Sequence, residues 1–287
     1  MKVIIIYNPN STGDSESNAK ELASELKKSK FVVETKETTR AGHGEEIARE
    51  LAQKDEPVIL ISSSGDGGYH EVINGALSIK NKNLVVGVLA SGNANDHATA
   101  LGSNSIAEAI QAKNFQNIDT IKISATVDGK KWTRYAHSYA GIGVAANAAK
   151  RLTEDRPNIL TEKWIVARSL ISFSYVKIKE NNTFHKYSSI IFGNINKMSK
   201  VIQLSDQTSV TDGKFEMTSI RLRSKLRLIV YLITAATIGL KRTPSLKKYE
   251  FQTVKETPIQ LDGEVYTLDA KSDVIVESAK QNLRCIL

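Results

Sequence analysis

The stretch Val58–Leu77 constrains the fold more than any other: an aliphatic run, Val58-Ile59-Leu60-Ile61, breaks into Ser62-Ser63-Ser64-Gly65-Asp66-Gly67-Gly68, and helical spacing then resumes through Leu77. Apolar residues in an unbroken run bounded by turn signals read as a strand buried on both faces, here feeding a helix. Glycines leave the backbone N–H groups of the turn unshielded, and the serines add hydroxyls. At the positive end of a helix, such a loop can seat an anion. A glycine-rich turn without any ligand is common, so this loop alone decides little.

The same transition occurs on either side of it. Val3–Tyr7 runs into Asn8-Pro9-Asn10-Ser11-Thr12-Gly13 and then a helical pattern with Leu22 and Leu26 on one face. Leu84–Leu89 runs into Ala90-Ser91-Gly92-Asn93-Ala94-Asn95-Asp96, where Asn95 or Asp96 stands ready to cap the next helix. Strand, polar turn and helix in repetition predict a parallel sheet with all these turns at the carboxyl edge of their strands, where open α/β sheets bind ligands.

Beyond about residue 118 the pattern changes. Ile121–Val127, Asp128-Gly129 and Lys131–Tyr139 predict a hairpin, since Asp-Gly is a strong two-residue turn. Further strands are expected at Tyr187–Gly193, Lys214–Arg221, Tyr249–Val254 and Ile259–Asp262, with helices near Thr161–Val176 and Ser224–Ile238. A chain of 287 residues accommodates two domains. The single cysteine, Cys285, excludes an internal disulfide or thiolate cluster and reads as a buried strand residue in a reducing cytoplasm. Met1–Tyr7 is interrupted by Asn8 before it forms a secretory core, and the longest apolar tract, Leu228–Leu240, is too short to cross a bilayer. Neither a Walker loop nor a His-Glu-x-x-His zinc motif is present, and His43, His70, His97 and His185 take no assigned role.

A net charge of +8 and a pI near 9.3 call for an anionic partner. Arg221, Arg223, Lys225 and Arg227 precede the apolar tract and Lys241, Arg242, Lys247 and Lys248 follow it, a basic amphiphilic segment suited to an anionic membrane. Aromatic residues interleaved with basic ones are scarce, which argues against nucleic acid.

These residues resemble the diacylglycerol kinase catalytic-domain family of lipid kinases, which is related to the NAD kinases. Its Gly-Gly-Asp-Gly-Thr, Glu-Val and Asn-Gly elements correspond to Ser64-Gly65-Asp66-Gly67-Gly68, Glu71-Val72 and Asn74-Gly75. Its Leu-Gly-Thr-x-Asn-Asp-Phe-Ala corresponds to the segment from Ala90 to Ala98, and its Asn-Pro-x-Ser to Asn8-Pro9-Asn10-Ser11. The segment Thr38–Gly44, the turn Thr211-Asp212-Gly213, Leu261-Asp262-Gly263-Glu264 and Leu283-Arg284-Cys285 also fall in the family's order.

The resemblance implies a nucleotide-binding α/β domain at 1–118, completed by a returning segment at 274–287, and an antiparallel, β-sandwich-like domain at 119–273 that takes the substrate. It implies an ATP- and Mg2+-dependent kinase, in the cytoplasm and peripheral to the inner face of the membrane. Its substrate would be the hydroxyl of diacylglycerol or a related amphiphile, with a homodimer as an open assembly. The nucleotide would be held by Asn8, Ser11, Thr38, Ser64, Gly65, Asp66, Gly67, Gly68, Glu71, Asn74, Gly92, Asn93, Asn95 and Asp96. Glu264 would accept the proton, with Asp262 as alternative or partner, and Asp212 would help hold a structural magnesium. Glu71 and Asn74 share a helix face that would touch the ribose or hold the loop. Two departures stand out: Gly68 and Asn93 replace threonines, and Ser62, Ser63, Ser64, Ser91 or the Asn93 amide are the groups available to substitute for the lost hydroxyls. Other readings are an NAD kinase-like enzyme and a nucleotide-binding regulator without turnover.

Overall fold

The computed structural model describes residues 1–11, 13–54, 56–92, 95–102, 105–155, 175–198, 202–203, 208–221, 230, 234, 237 and 243–286. It divides into two compact units, Met1–Asp119 with Lys280–Leu287, and Thr120–Ala279. Residues 274–279 of the expected returning segment therefore lie in the second unit.

The first unit runs β1 (Lys2–Tyr7), α1 (Ser15–Lys28), β2 (Val32–Glu37), α2 (His43–Gln53), β3 (Val58–Ser64), α3 (Asp66–Leu77), β4 (Leu84–Ala90), α4 (Asp96–Leu101) and α5 (Ile106–Ala112). Its strands pair in parallel in the order β2-β1-β3-β4, placing Ile4 beside Leu60 and Leu60 beside Val86. All of β3 is buried, so its sequence shows no polar alternation. Val3, Ile5, Ile59, Ile61 and Val85 form one core with Ala19, Leu22 and Leu26 of α1 and Ile110 of α5. The spacing of those α1 residues is that of a single helical face. α1 ends where Lys30 turns left-handed, φ 65°, and the Phe31 N–H donates to the Leu26 carbonyl at 3.0 Å. That is a Schellman ending built on lysine instead of glycine, with Phe31 packed on the same core.

The chain leaves through β5 (Phe115–Val127) and continues as β6 (Lys130–Ala136), β7 (Tyr139–Gly143), α6 (Val144–Asp155), β8 (Val176–Glu180), β9 (Thr183–Tyr187) and β10 (Ser189–Gly193). The short β11 (Lys197–Met198) and β12 (Ile202–Gln203) follow, then β13 (Phe215–Ile220), β14 (Ser245–Leu246), β15 (Lys248–Thr253), β16 (Thr257–Leu261), β17 (Glu264–Leu268) and β18 (Asp273–Ile286). One antiparallel layer has the order β14-β13-β10-β7-β16-β17, and β15 pairs antiparallel with β18 and with β8, which carries β9 as an edge. Side chains from both layers meet in one core, including Ile142, Phe192, Phe215, Phe251, Ile259 and Val276. This is the antiparallel second domain that the sequence implied. β18 ends in the first unit, where Cys285 pairs in parallel with Val86.

Several boundaries differ from expectation: β5 begins at Phe115, six residues before Ile121, and the strand expected over Tyr187–Gly193 is divided between the end of β9 and β10. The strand expected over Lys131–Tyr139 stops at Ala136, because the N–H groups of His137, Ser138 and Tyr139 donate to the Asp262 carboxylate. Val176, expected to close a helix, opens β8, whose Val-Lys-Ile-Lys alternation has the period of a strand. Residues 161–174 of that expected helix, and nearly all of the one near Ser224–Ile238, lie outside the described residues.

Candidate active site

The ends of β1, β3 and β4 bring three polar loops together in the first unit. Ser15 Oγ accepts from the Asn8 N–H at 3.3 Å and donates to the Ser63 carbonyl, and Ser63 Oγ returns a bond to the Ser15 carbonyl at 2.7 Å. Ser91 Oγ stands 3.1 Å from Ser63 Oγ and accepts from Asn18 Nδ2 at 3.0 Å. Hydroxyl-to-backbone bonds thus interlock the three turns into one surface. Ser15 carries much of this, and nothing in the local sequence marks it out from other helix-starting serines.

The turns meet glycine to glycine. A Cβ on Gly92 would lie 2.4 Å from the Gly65 Cα, so the second loop tolerates no side chain where the two touch. Asn95, left-handed at φ 53°, closes the second loop on itself, its Oδ1 accepting from the Gly92 N–H and its Nδ2 donating to the Gly92 carbonyl. Asn95 occupies the N-cap position of α4 without capping it through its own side chain. The cap comes from Asp66, whose carboxylate accepts from the Asp96 and His97 N–H groups at 3.1 and 3.4 Å. An anionic acceptor at the positive end of a helix is favourable, and it fixes the start of α3 against the start of α4.

Gly68 lies within α3 and has no left-handed backbone, so conformational freedom does not explain it. A Cβ there would lie 2.6 Å from Ser64 Cβ and 2.8 Å from Ser64 Oγ. The space that a side chain at position 68 would fill is taken by the Ser64 hydroxymethyl, itself bonded to Ser62 Oγ at 2.7 Å and to the Gly65 carbonyl at 3.0 Å. Asn93 lies outside the described residues.

Glu71 holds a loop: its carboxylate accepts from the Gly42 and Gly44 N–H groups at 2.8 and 3.0 Å, tying α3 to the turn that opens α2. Asn74 is buried and its amide donates to the His70 carbonyl at 2.9 Å. Around the first loop, Asn8 Oδ1 accepts from the Asn10 N–H and Ser11 Oγ from the Gly13 N–H. The Thr38 N–H donates to the Tyr7 carbonyl, at the end of β1. A cavity of about 480 Å³ flanks the Ser91 turn, but it is lined by apolar groups such as Leu22, Leu89 and Leu101 with Glu21 and Glu25, an environment unsuited to a phosphate.

In the second unit, Asp262 and Gly263 form the left-handed pair of the turn between β16 and β17, with φ 52° and 99°. Asp262 is 2 % exposed and accepts three backbone N–H bonds, from His137 at 2.9 Å, Ser138 at 2.9 Å and Tyr139 at 3.1 Å. The buried His137 ring lies 3.4 Å from the same carboxylate through Nε2 and 2.7 Å from Ser138 Oγ through Nδ1. Glu264, directly beyond the turn, is exposed. Asp212 accepts from the Lys214 N–H at 2.9 Å. Its near neighbour Glu216 is 5 % exposed, and burial, aided by the Asp212 charge, raises its pKa. Among the described residues there is no cluster of three acidic or histidine ligands. Glu216 escaped sequence reasoning because the Asp-x-x-x-Glu spacing has no local meaning until β13 turns it inward.

Residues 2–125 match the family model of the diacylglycerol kinase catalytic domain. A diacylglycerol kinase of Bacillus subtilis (strain 168) is 39 % identical over 101 residues, which is 34 % of this chain and 32 % of that protein, so the match spans about a third of the curated relative. Among solved structures, a diacylglycerol kinase from Bacillus anthracis str. Sterne superposes with a TM-score of 0.72 at 19 % identity, over 99 % of this chain and 96 % of that one. Yeast NADH kinase complexed with NADH gives 0.51 at 11 % identity, over 100 % and 83 %. At these identities the structural matches carry the fold.

Proposed function

We propose that the chain is an ATP-dependent kinase that phosphorylates the hydroxyl of diacylglycerol or a related amphiphilic lipid at a membrane surface, a reading supported by the match of residues 2–125 to the diacylglycerol kinase catalytic-domain model. The observation that carries the reading is the interlocked edge of β1, β3 and β4. It presents glycine-flanked backbone N–H groups at the start of α3, as a polyphosphate requires. In this reading the Gly65–Gly68 turn and the Gly92 loop hold the phosphates, and Ser64 supplies the hydroxyl that position 68 lacks. Mg2+ bound with ATP neutralises phosphate charge, and Asp212 with Glu216 would hold a structural ion.

Glu264 takes the proton from the lipid hydroxyl as its oxygen bonds to the γ-phosphorus and the bond to the ADP oxygen breaks. Asp262 is the positioning residue: committed to three N–H donors, it fixes the turn that carries Glu264.

The test is transfer of radiolabelled γ-phosphate from ATP to a lipid panel. Label in the organic extract supports the reading, label on a soluble nucleotide points to an NAD kinase-like activity, and none at all refutes turnover. Glu264→Gln should lower the rate by roughly 10²–10⁴ while leaving the melting temperature in place. Asp262→Asn should cost stability first, on the order of 2–3 kcal/mol, because the remaining oxygen cannot serve three donors. A fully active, folded Glu264→Gln enzyme would remove the base assignment.

A further inference from the structure

The edge hairpin of the second unit carries a surface that the nucleotide chemistry does not use. β8 and β9 pair antiparallel through the left-handed turn Asn181-Asn182, with Lys177 opposite Lys186 and Lys179 opposite Phe184. Directly opposed residues share a face. Val176, Ile178 and Tyr187 point to the core, so Lys177, Lys179, Phe184 and Lys186 point outward together. Phe184 is 56 % exposed, and Lys177 Nζ sits 4.3 Å from its ring centroid. Tyr175, one step before β8 and of the same parity, is 36 % exposed.

The hairpin's acid is on the other side. Glu180 accepts hydroxyl bonds from Tyr187, at 2.8 Å, and from Tyr249, and Tyr187 in turn accepts from Arg221. Lys177, Lys179 and Lys186 form no ion pair among the described residues. Lysines on an edge strand are an ordinary defence against strand pairing, but that defence gives no reason to expose a phenylalanine between them. Cations around a protruding ring form the pattern of a bilayer interface, where the ring enters the headgroup region and the ammonium groups meet lipid phosphate.

We propose that the outward face of the β8–β9 hairpin, Lys177, Lys179, Phe184 and Lys186, is the surface by which this protein docks on an anionic lipid bilayer. The inference deepens the lipid-kinase reading by naming how the enzyme reaches its substrate, yet binding is measurable without turnover. Each lysine near an anionic surface contributes roughly fivefold in partitioning, and the ring about tenfold.

The experiment is co-sedimentation of the full chain with phosphatidylcholine vesicles, with and without phosphatidylserine. The variants are Phe184→Ala, the triple change Lys177→Gln, Lys179→Gln, Lys186→Gln, and a charge-matched control on the first unit, Lys27→Gln, Lys28→Gln, Lys82→Gln. The wild type should bind only anionic vesicles and come off with salt. The hairpin triple should lose on the order of 100-fold in partitioning and Phe184→Ala about tenfold, with melting temperatures unchanged and the control near wild type. Equal losses in the hairpin and control triples would reduce the effect to net charge and overturn the proposal. So would unchanged vesicle binding accompanied by a shift from dimer to monomer in Phe184→Ala, which would assign the face to a second copy of the chain. Hairpin-dependent binding to anionic vesicles by a wild type that transfers no phosphate would fail the catalytic reading alone, and a turnover-competent protein whose hairpin triple binds like wild type would fail this one alone.

Discussion

The pairing of Ser64 with Gly68 makes a prediction that only the three-dimensional arrangement supplies. Threonine at position 68 would bring the family's hydroxyl back, yet its Cβ would stand 2.6 Å from Ser64 Cβ, about 1 Å inside ordinary carbon–carbon contact. Ser64 cannot simply swing aside, since it is anchored on β3 and bonded to Ser62 and Gly65. Gly68→Thr should therefore cost about 1–3 kcal/mol as overpacking. Ser64→Gly removes a hydrogen-bonded hydroxyl and places glycine in a strand, about 1.5–2 kcal/mol together. If the sites were independent, the double variant would lose roughly 2.5–5 kcal/mol. Because Ser64→Gly vacates the space that the introduced threonine needs, the double variant should lose only about 1–2 kcal/mol, a coupling of the size of the clash itself. Urea unfolding of the four proteins followed by far-ultraviolet circular dichroism measures the cycle, the helices of the first unit carrying most of the signal. Nucleotide affinity should follow the same order, falling in each single variant and recovering in the swap. Additivity to within about 0.5 kcal/mol, or a stabilised Gly68→Thr single variant, would refute the idea that the hydroxyl has moved from one position to the other.

Glu71→Gln keeps the shape but removes the charge that the Gly42 and Gly44 N–H groups share; it should cost about 1.5–3 kcal/mol, with faster amide exchange at both glycines than at the rest of α2. Cys285 is fully buried with its pKa pushed up to about 12, so labelling by a thiol reagent should track unfolding. Because its folded pKa lies above the unfolded value, its contribution to stability is complete below about 8.5 and fades as pH rises from there towards the folded value. Rapid labelling of the native protein near neutral pH would contradict its placement on β18.

Features specified by neighbouring residues were legible in the sequence. The run at 58–61 has to be a doubly buried strand, and the Asp-Gly pairs at 128–129 and 262–263 both adopt the left-handed turn that their composition favours. The returning strand was expected only through the resemblance; Cys285 on it pairs in parallel with Val86. The partners of the motif carboxylates were not. Asp66 and Glu71 bond to backbone N–H groups 27 to 31 residues away, and Asp262 to groups 123 to 125 residues away. A backbone N–H has no residue identity, so no pattern of side chains announces which one a carboxylate will find. Ser64 and Gly68 were each visible as departures from the motif, and only their shared space relates them.

A carboxylate that accepts two or three N–H bonds is held in one place, because moving it would forfeit them. Asp66, Glu71 and Asp262 are all in that condition, which makes each a joint between distant segments. Glu264 is exposed and stands one residue past a turn that Asp262 immobilises. Proton transfer requires a group that can change charge without dismantling its surroundings, and loop positioning requires one that cannot. Asp66, Glu71 and Asp262 thus frame loops, and the rate of Glu264→Gln against that of Asp262→Asn tests the proposal that Glu264 takes the proton.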